Sequence, residues 1–504
     1  MPKRVSSSIG PMRSRLAYAL GLLLVAISLG LAGCGGDGDG SGGGKGSDGG
    51  SAATGETPAG AALAPSTAVG FVFADTDFDG DGWQALDDLS RKFPDREELL
   101  ARIQKELADE GISFEDDIKP ALGPETDIGL LGFEGEGMAV GLTKPGDDAK
   151  ARALFEKLLD EGDTAAYRTV DGWLAASDQQ SVVDAVPADD TASLTKNDLF
   201  TAAMSDLPGG ALLKLWLDGA TLTKQVEQGT QPGVAKGLGT LLSVAASLDA
   251  SDDGARMHVV ARRQGGVEAT TYSSELVSQA PAGALVYLSF KGLDAALKQV
   301  RQNPAVAPRI AEVEAQLGVT LDELGALFAG EGAFYLRQGS PIPEVTLLLQ
   351  AEDENASLAT ADRLLAKLGP SLGLAGPPTS TEVDGVAVKK LTGEQFAIYY
   401  GAVDGKLVFT SSTTGITGLK EGDKLDSDDT FSKAREAADM PDETAGFLYA
   451  NLKQLVPLVL NFSTTAGRTV PPDVEGNLEP LRSLLFYGAA DGDKVSLTGF
   501  LGLE

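Results

Sequence analysis

Cysteine and histidine are nearly missing from these 504 residues: there is one of each, Cys34 and His258. With a single cysteine no intrachain disulfide can form, so a core alone must hold the folded part. Zinc sites built on several histidines lack their ligands, and Ser-His or Cys-His nucleophilic machinery lacks its base or its thiol. Basic residues are also scarce, 41 against 73 acidic ones, for a formal charge of −32. A field of that sign repels nucleic acid, which is excluded as a partner, and it repels anionic headgroups. The acids are spread along the whole chain, the pattern of a solubilising surface. Of the three tryptophans, Trp83, Trp173 and Trp216, each stands at an element boundary and is read as packing rather than as a pocket lining.

Long apolar runs are absent too, with one exception at Leu16–Leu31. It follows Lys3, Arg4, Arg13 and Arg15, with no acid among them, and leads into Leu31-Ala32-Gly33-Cys34. A basic stretch, an apolar stretch and a small-residue cut site make a secretory signal. The last four residues resemble the bacterial lipoprotein box, in which the peptidase cuts before the cysteine and lipid joins its sulfur. A retained membrane-spanning helix is the competing reading. The position of the only cysteine at the cut favours cleavage. Residues 1–33 are therefore expected to be a signal peptide, and Cys34 a lipid attachment site on the extracytoplasmic face of the cell membrane. Losing those four bases takes the charge to about −36. Residues 34–61 are rich in Gly, Ser and Asp and read as a flexible linker with a reach of about 30 Å.

Beyond it, helical spacing covers Trp83–Phe93 and Glu97–Glu110. Strand-like stretches fall at Ala68–Ala74, Ile128–Phe133, Met138–Thr143, Ala211–Leu217 and Arg256–Ala261. Tyr167–Val170 and Trp173–Ala176 flank Asp171-Gly172, a strong hairpin signal. The order then recurs. Ala64-Pro65-Ser66-Thr67-Ala68-Val69 matches Ala280-Pro281-Ala282-Gly283-Ala284-Leu285, and Gly111–Asp116 matches Gly318–Glu323. Val170-Asp171-Gly172-Trp173-Leu174 matches Val403-Asp404-Gly405-Lys406-Leu407, and Asn197–Phe200 matches Asp428–Phe431. A change of spacing between the second and third matches places an insertion at Gly369–Gln395. Strands come in adjacent pairs with helices between the pairs. The expected fold is α+β, as two tandem copies of an antiparallel-sheet-plus-helices module at 62–265 and 280–504.

Three motifs bear on chemistry. Gly135-Glu136-Gly137 imitates a dinucleotide loop, but a strand follows it where a helix is required. Ser193-Leu194-Thr195-Lys196 has the spacing of penicillin-binding enzymes, but their other elements are missing. Capping by Ser193 or Thr195 of a helix over Asn197–Met204 accounts for it. Asp77-Phe78-Asp79-Gly80-Asp81-Gly82 follows a calcium-loop pattern, with Asp77, Asp79, Asp81 and Asp88 as oxygen ligands and the Trp83 carbonyl at position seven. Position twelve is Asp where Glu is usual, and an acidic turn between strand and helix is the alternative.

The Ala-Pro strand start, the Trp-led helix and Phe114-Glu115-Asp116-Asp117-Ile118-Lys119-Pro120-Ala121-Leu122-Gly123 together resemble a bacterial envelope family, filed as domain of unknown function 3352. The resemblance spans Ala64 to Leu501 and implies a surface location. It brings no activity and no catalytic residues. Two functions stand open: a non-enzymatic lipoprotein that binds an envelope protein or a small ligand, and an envelope hydrolase that uses two carboxylates. The missing His and Cys chemistry favours the first.

Overall fold

Hairpins carry most of the architecture, and their turns are made where Asp-Gly pairs allow it. Asp171, Asp384 and Asp404 have φ near +47°, and the glycines after them have φ between +77° and +81°. Two successive positive φ values make the tight turn that matches strand twist. A computed structural model describes residues 55–504, apart from 133–138, 160–163, 230–238, 266–269, 303–306, 341, 395, 466 and 469. The signal peptide, Cys34 and the turn Glu134–Gly137 lie outside the described residues.

The fold is α+β, and its contacts separate two units, Met1–Asp218 with Ala245–Asp252 and Gly219–Val244 with Asp253–Glu504. The first carries β1 (Gly70–Asp75), β2 (Glu125–Leu130), β3 (Ala139–Thr143), β4 (Ala166–Val170), β5 (Trp173–Ser177) and β6 (Leu213–Asp218). They pair antiparallel in the order β6-β1-β2-β3-β5-β4. Helices α1 (Asp81–Arg91) and α2 (Arg96–Asp109) pack on one face through Trp83, Ile103 and Leu107. On the other face, α3 (Asp198–Asp206) sets Phe200 edge-on against Phe71 and Trp216. Asn197 caps α3, its Oδ1 accepting from the Leu199 and Phe200 amides. The sequence pointed to Ser193 or Thr195 for that cap. Ser193 instead donates to the Asp190 carbonyl, because the chain turns once more before the helix starts.

Strand β7 (Thr240–Ser251) has no polar alternation, which is why periodicity passes over it. In the second unit, β8 (Gly254–Gln264) and β9 (Ala284–Phe290) are followed by β10 (Gly332–Arg337), β11 (Glu344–Gln350), β12 (Leu374–Val383) and β13 (Val386–Gly393). Then come β14 (Ala397–Val403), β15 (Lys406–Thr410), β16 (Phe447–Asn451), β17 (Leu481–Asp491) and β18 (Lys494–Leu503). The order is β8-β18-β17-β16-β9-β10-β11-β15-β14-β13-β12. Within it, β16-β9-β10-β11-β15-β14 runs in the same sequence as β6-β1-β2-β3-β5-β4. The stretch Gly369–Gln395, expected to be an insertion, contains the hairpin β12–β13. Strand β8, which its position in the chain assigns to the first half, pairs with β18. His258 hydrogen-bonds across that pairing to Thr498 Oγ1 at 2.7 Å. Helix α4 (Asp429–Ala437) covers one face, with Phe431 against Phe447 and Tyr449. No described helix is long and apolar enough to cross a membrane.

The packed chain begins earlier than composition predicts. Residues 55–61 belong to the expected linker, yet the Gly55 amide donates to the Leu207 carbonyl at 2.9 Å and Ala61 is fully buried. Pro58, Ala59 and Ala61 are small enough to lie flat on a sheet, whereas the Gly-Asp repeats before them have nothing to bury.

Candidate functional site

Register brings together residues that are far apart in the chain. Asp75 on β1 faces Glu125 on β2, and Phe73 faces both Asp127 on β2 and Lys214 on β6. Side chains directly opposite and two apart share one face of a sheet. That face therefore carries Phe73, Asp75, Glu125, Asp127 and Lys214 beyond the aromatic cluster of Phe71, Phe200 and Trp216. Residues 55–64 cross over it. The Gly60 amide donates to Glu125 Oε1 at 2.9 Å, and Lys214 Nζ donates to the Glu56 carbonyl at 3.1 Å. A Cβ on Gly60 would meet Asp127 Oδ2 at 2.0 Å, so only glycine lets the chain pass so close.

A cleft of ≈ 440 Å³ opens beside this crossing, between Glu56–Pro58, Phe73, Asp75, Glu125, the Gly209–Ala211 turn and Lys214. Lys214 is buried, with its Nζ 5.8 Å from the Phe73 ring centre. Burial lowers its pKa. Asp75 is half-buried, and its pKa is raised mainly by desolvation, against the hydrogen bond from the Asp77 amide. Asp127 has no exposed surface, and among the described residues no group meets either of its carboxyl oxygens with hydrogen-bond geometry. Burial, and then the neighbouring Glu125 carboxylate, push its pKa well above the usual range. Both causes favour the protonated form of a carboxyl that sits behind the cleft.

The second unit treats the same positions differently. Glu331, before β10, stands where Glu125 stands and is likewise tied to the segment leading into its sheet. It accepts from the Glu275 amide at 2.8 Å, the Leu276 amide at 3.2 Å and Ser289 Oγ at 3.1 Å. The register then replaces Phe73 by Ser289, Asp127 by Ala333 and Lys214 by Phe447. Tyr335 stands in place of Gly129, across from Tyr287 as Gly129 is from Phe71. Tyr287 stacks on Phe447 at 5.4 Å, and Tyr287 and Tyr335 are fully buried. In the second unit a ring, Phe447, takes the place of Lys214 and Ala333 that of Asp127, while Glu331 keeps a carboxylate at the Glu125 position, closed onto backbone amides.

The proposed calcium ligands are not gathered around one point. Helix α1 starts at Asp81, so Trp83 sits in its first turn and its carbonyl points along the helix. A calcium loop needs that stretch unwound. Lys119 Nζ holds Asp79 at 3.0 Å, Gln84 Nε2 takes the Asp79 carbonyl, and Asp88 lies exposed on α1 near Arg91. Asp77 turns its amide onto Asp75. Among the described residues no group of three or more His, Cys, Asp or Glu side chains has metal-holding geometry. Trp83 and Trp216 are core residues, and Trp173 is partly exposed beside Gly60. Sequence reasoning missed Glu125, Asp127 and Lys214. The available signal was a Glu-Thr-Asp and a lone Lys inside otherwise apolar strands.

A family model described as "Protein of unknown function (DUF3352)" matches residues 158–486. The match begins after the Phe114–Gly123 motif on which the resemblance was read. No curated protein matches. Similar solved structures include crystal form IV of TP0453, 16% identical, covering 46% of this chain and 93% of that one, with a TM-score of 0.24. Crystal form I of TP0453 is 18% identical and covers 45% and 79%, with a TM-score of 0.23.

Proposed function

The chain belongs to the DUF3352 family of proteins of unknown function, and from that premise we propose that it is a lipid-anchored, extracytoplasmic binding protein whose first unit takes a small ligand carrying an ammonium group. One observation supports this above the others. At matching positions of the same strand order, the first unit opens a cleft lined by Asp75, Glu125 and Lys214, whereas the second puts Phe447 in place of Lys214 and closes Glu331 onto backbone amides. Scaffolding alone would be served by the closed version, since burying a charge without a partner is costly. Asp75 is the group that a ligand cation would relieve most. Its carboxylate is desolvated and lies next to Glu125. Phe73 offers a ring face to the ligand's methylene groups. The two units are read as descendants of one module.

The carboxylate hydrolase is less well supported. It needs two carboxyls facing the substrate. Asp127 is covered, and one Glu125 oxygen is taken up by Gly60. The test uses putrescine as the probe. Wild-type protein should melt higher in excess putrescine, as mass action on a folded-state site requires. Asp75→Asn should abolish the rise, and Lys291→Ala, at the matching position of the second unit, should keep it. No rise in the wild type, or an equal rise in Asp75→Asn, refutes the site.

A further inference from the structure

A different part of the chain addresses the bilayer itself. Helix α5 (Leu452–Thr465) follows β16 in the second unit and packs against β9, β16 and β17, yet none of its residues is buried. Val459 is 52% exposed and Phe462 46% exposed. Beyond a turn, α6 (Pro472–Leu478) leaves Val474 43% exposed. Between Lys453 and Arg468 there is no charged residue at all, in a chain with 114 charged residues out of 504. A solvated helix in so acidic a protein would be expected to carry acids, as α1 and α2 do.

The chemistry at the end of the tract matches a lipid interface. Arg468 lies with Leu460, Asn461, Thr464, Gly467, Val470 and Glu475 around a recess of ≈ 280 Å³. An apolar helix surface with a guanidinium and amide and hydroxyl groups at its end fits the boundary between acyl chains and phosphate headgroups. Glu475, Asp473 and Glu479 on or beside α6 disfavour strongly anionic lipid, so the surface suits zwitterionic headgroups. We infer that α5 and the turn after it lie in the bilayer interface, with Val459 and Phe462 toward the acyl chains and Arg468 at phosphate level. This inference rests on the lipid-anchor reading. A tethered chain is held at high local concentration beside the membrane, so a helix that binds lipid weakly is enough.

The experiment reconstitutes the mature, lipidated protein into phosphatidylcholine vesicles. Phe462→Cys supplies a thiol for a nitroxide, since the Cys34 sulfur carries lipid. Lys105→Cys on α2, at a side chain 78% exposed, is the water-facing control. Collision with oxygen and with a water-soluble nickel chelate is measured at both labels. The expected result is an oxygen-to-nickel ratio severalfold higher at position 462 than at 105. Equal ratios in protein that floats with the vesicles overturn the inference and leave the anchor standing. Protein that does not float overturns both. Protection of the 462 label from oxygen and nickel alike, with spin–spin broadening, would assign the surface to a second copy of the chain and overturn the lipid assignment.

Discussion

Asp127 is the residue whose behaviour most directly reports the polar interior of the first unit. Its folded-state pKa is raised, so the folded protein binds its proton more tightly than the unfolded chain does. The stability this contributes is fully present below the unfolded-state value, near 3.9, and is lost as pH rises toward the folded-state value. Asp127→Asn removes the ionisation penalty. The variant should melt a few degrees higher than wild type at pH 7, where about 1 kcal/mol is worth roughly 2–4 °C in a domain of this size. The gain should vanish near pH 4, and melting scans across that range check it. Glu331 holds its surroundings by hydrogen bonds. It is a buried acceptor for two backbone amides and a serine hydroxyl. Glu331→Ala strands those amides and should cost about 3 kcal/mol, read from the denaturant midpoint. Glu97→Ala, at a side chain 83% exposed on α2, should cost almost nothing.

Elements were legible where local chemistry decides them. Asp171-Gly172, Asp384-Gly385 and Asp404-Gly405 announce hairpins because few other pairs tolerate two positive φ values. Helices α1 and α2 announce themselves through apolar spacing. The candidate site was not legible in the same way. Phe73, Asp127 and Lys214 meet only through strand pairing, which no local pattern contains. The Asp77–Asp88 stretch shows the same limit of local pattern. Its spacing fits a calcium loop, but Asp81 already starts a helix and Lys119 arrives from a distant turn to neutralise Asp79. Wild-type protein should therefore melt at the same temperature in millimolar calcium and in chelator. A rise of several degrees in calcium would show that the loop rearranges around the ion.

At the scale of the whole molecule, the proposed tether leads into a segment that lines the cleft. The linker expected after Cys34 runs into residues 55–61, which form one wall of the cleft and cap Glu125 and Lys214. Cys34→Ala should release the protein into the medium or leave an uncleaved precursor, checked by fractionation and by the size of the band. A normally sized mature protein still on the membrane would refute attachment at that sulfur. The central claim is narrower. Six strands of each unit follow one order, and the cleft lined by Asp75, Glu125 and Lys214 belongs to the first. Calorimetric titration of the mature protein with putrescine tests this through stoichiometry. The account predicts one site per chain, lost in Asp75→Asn. Two equal sites, or none, would contradict it.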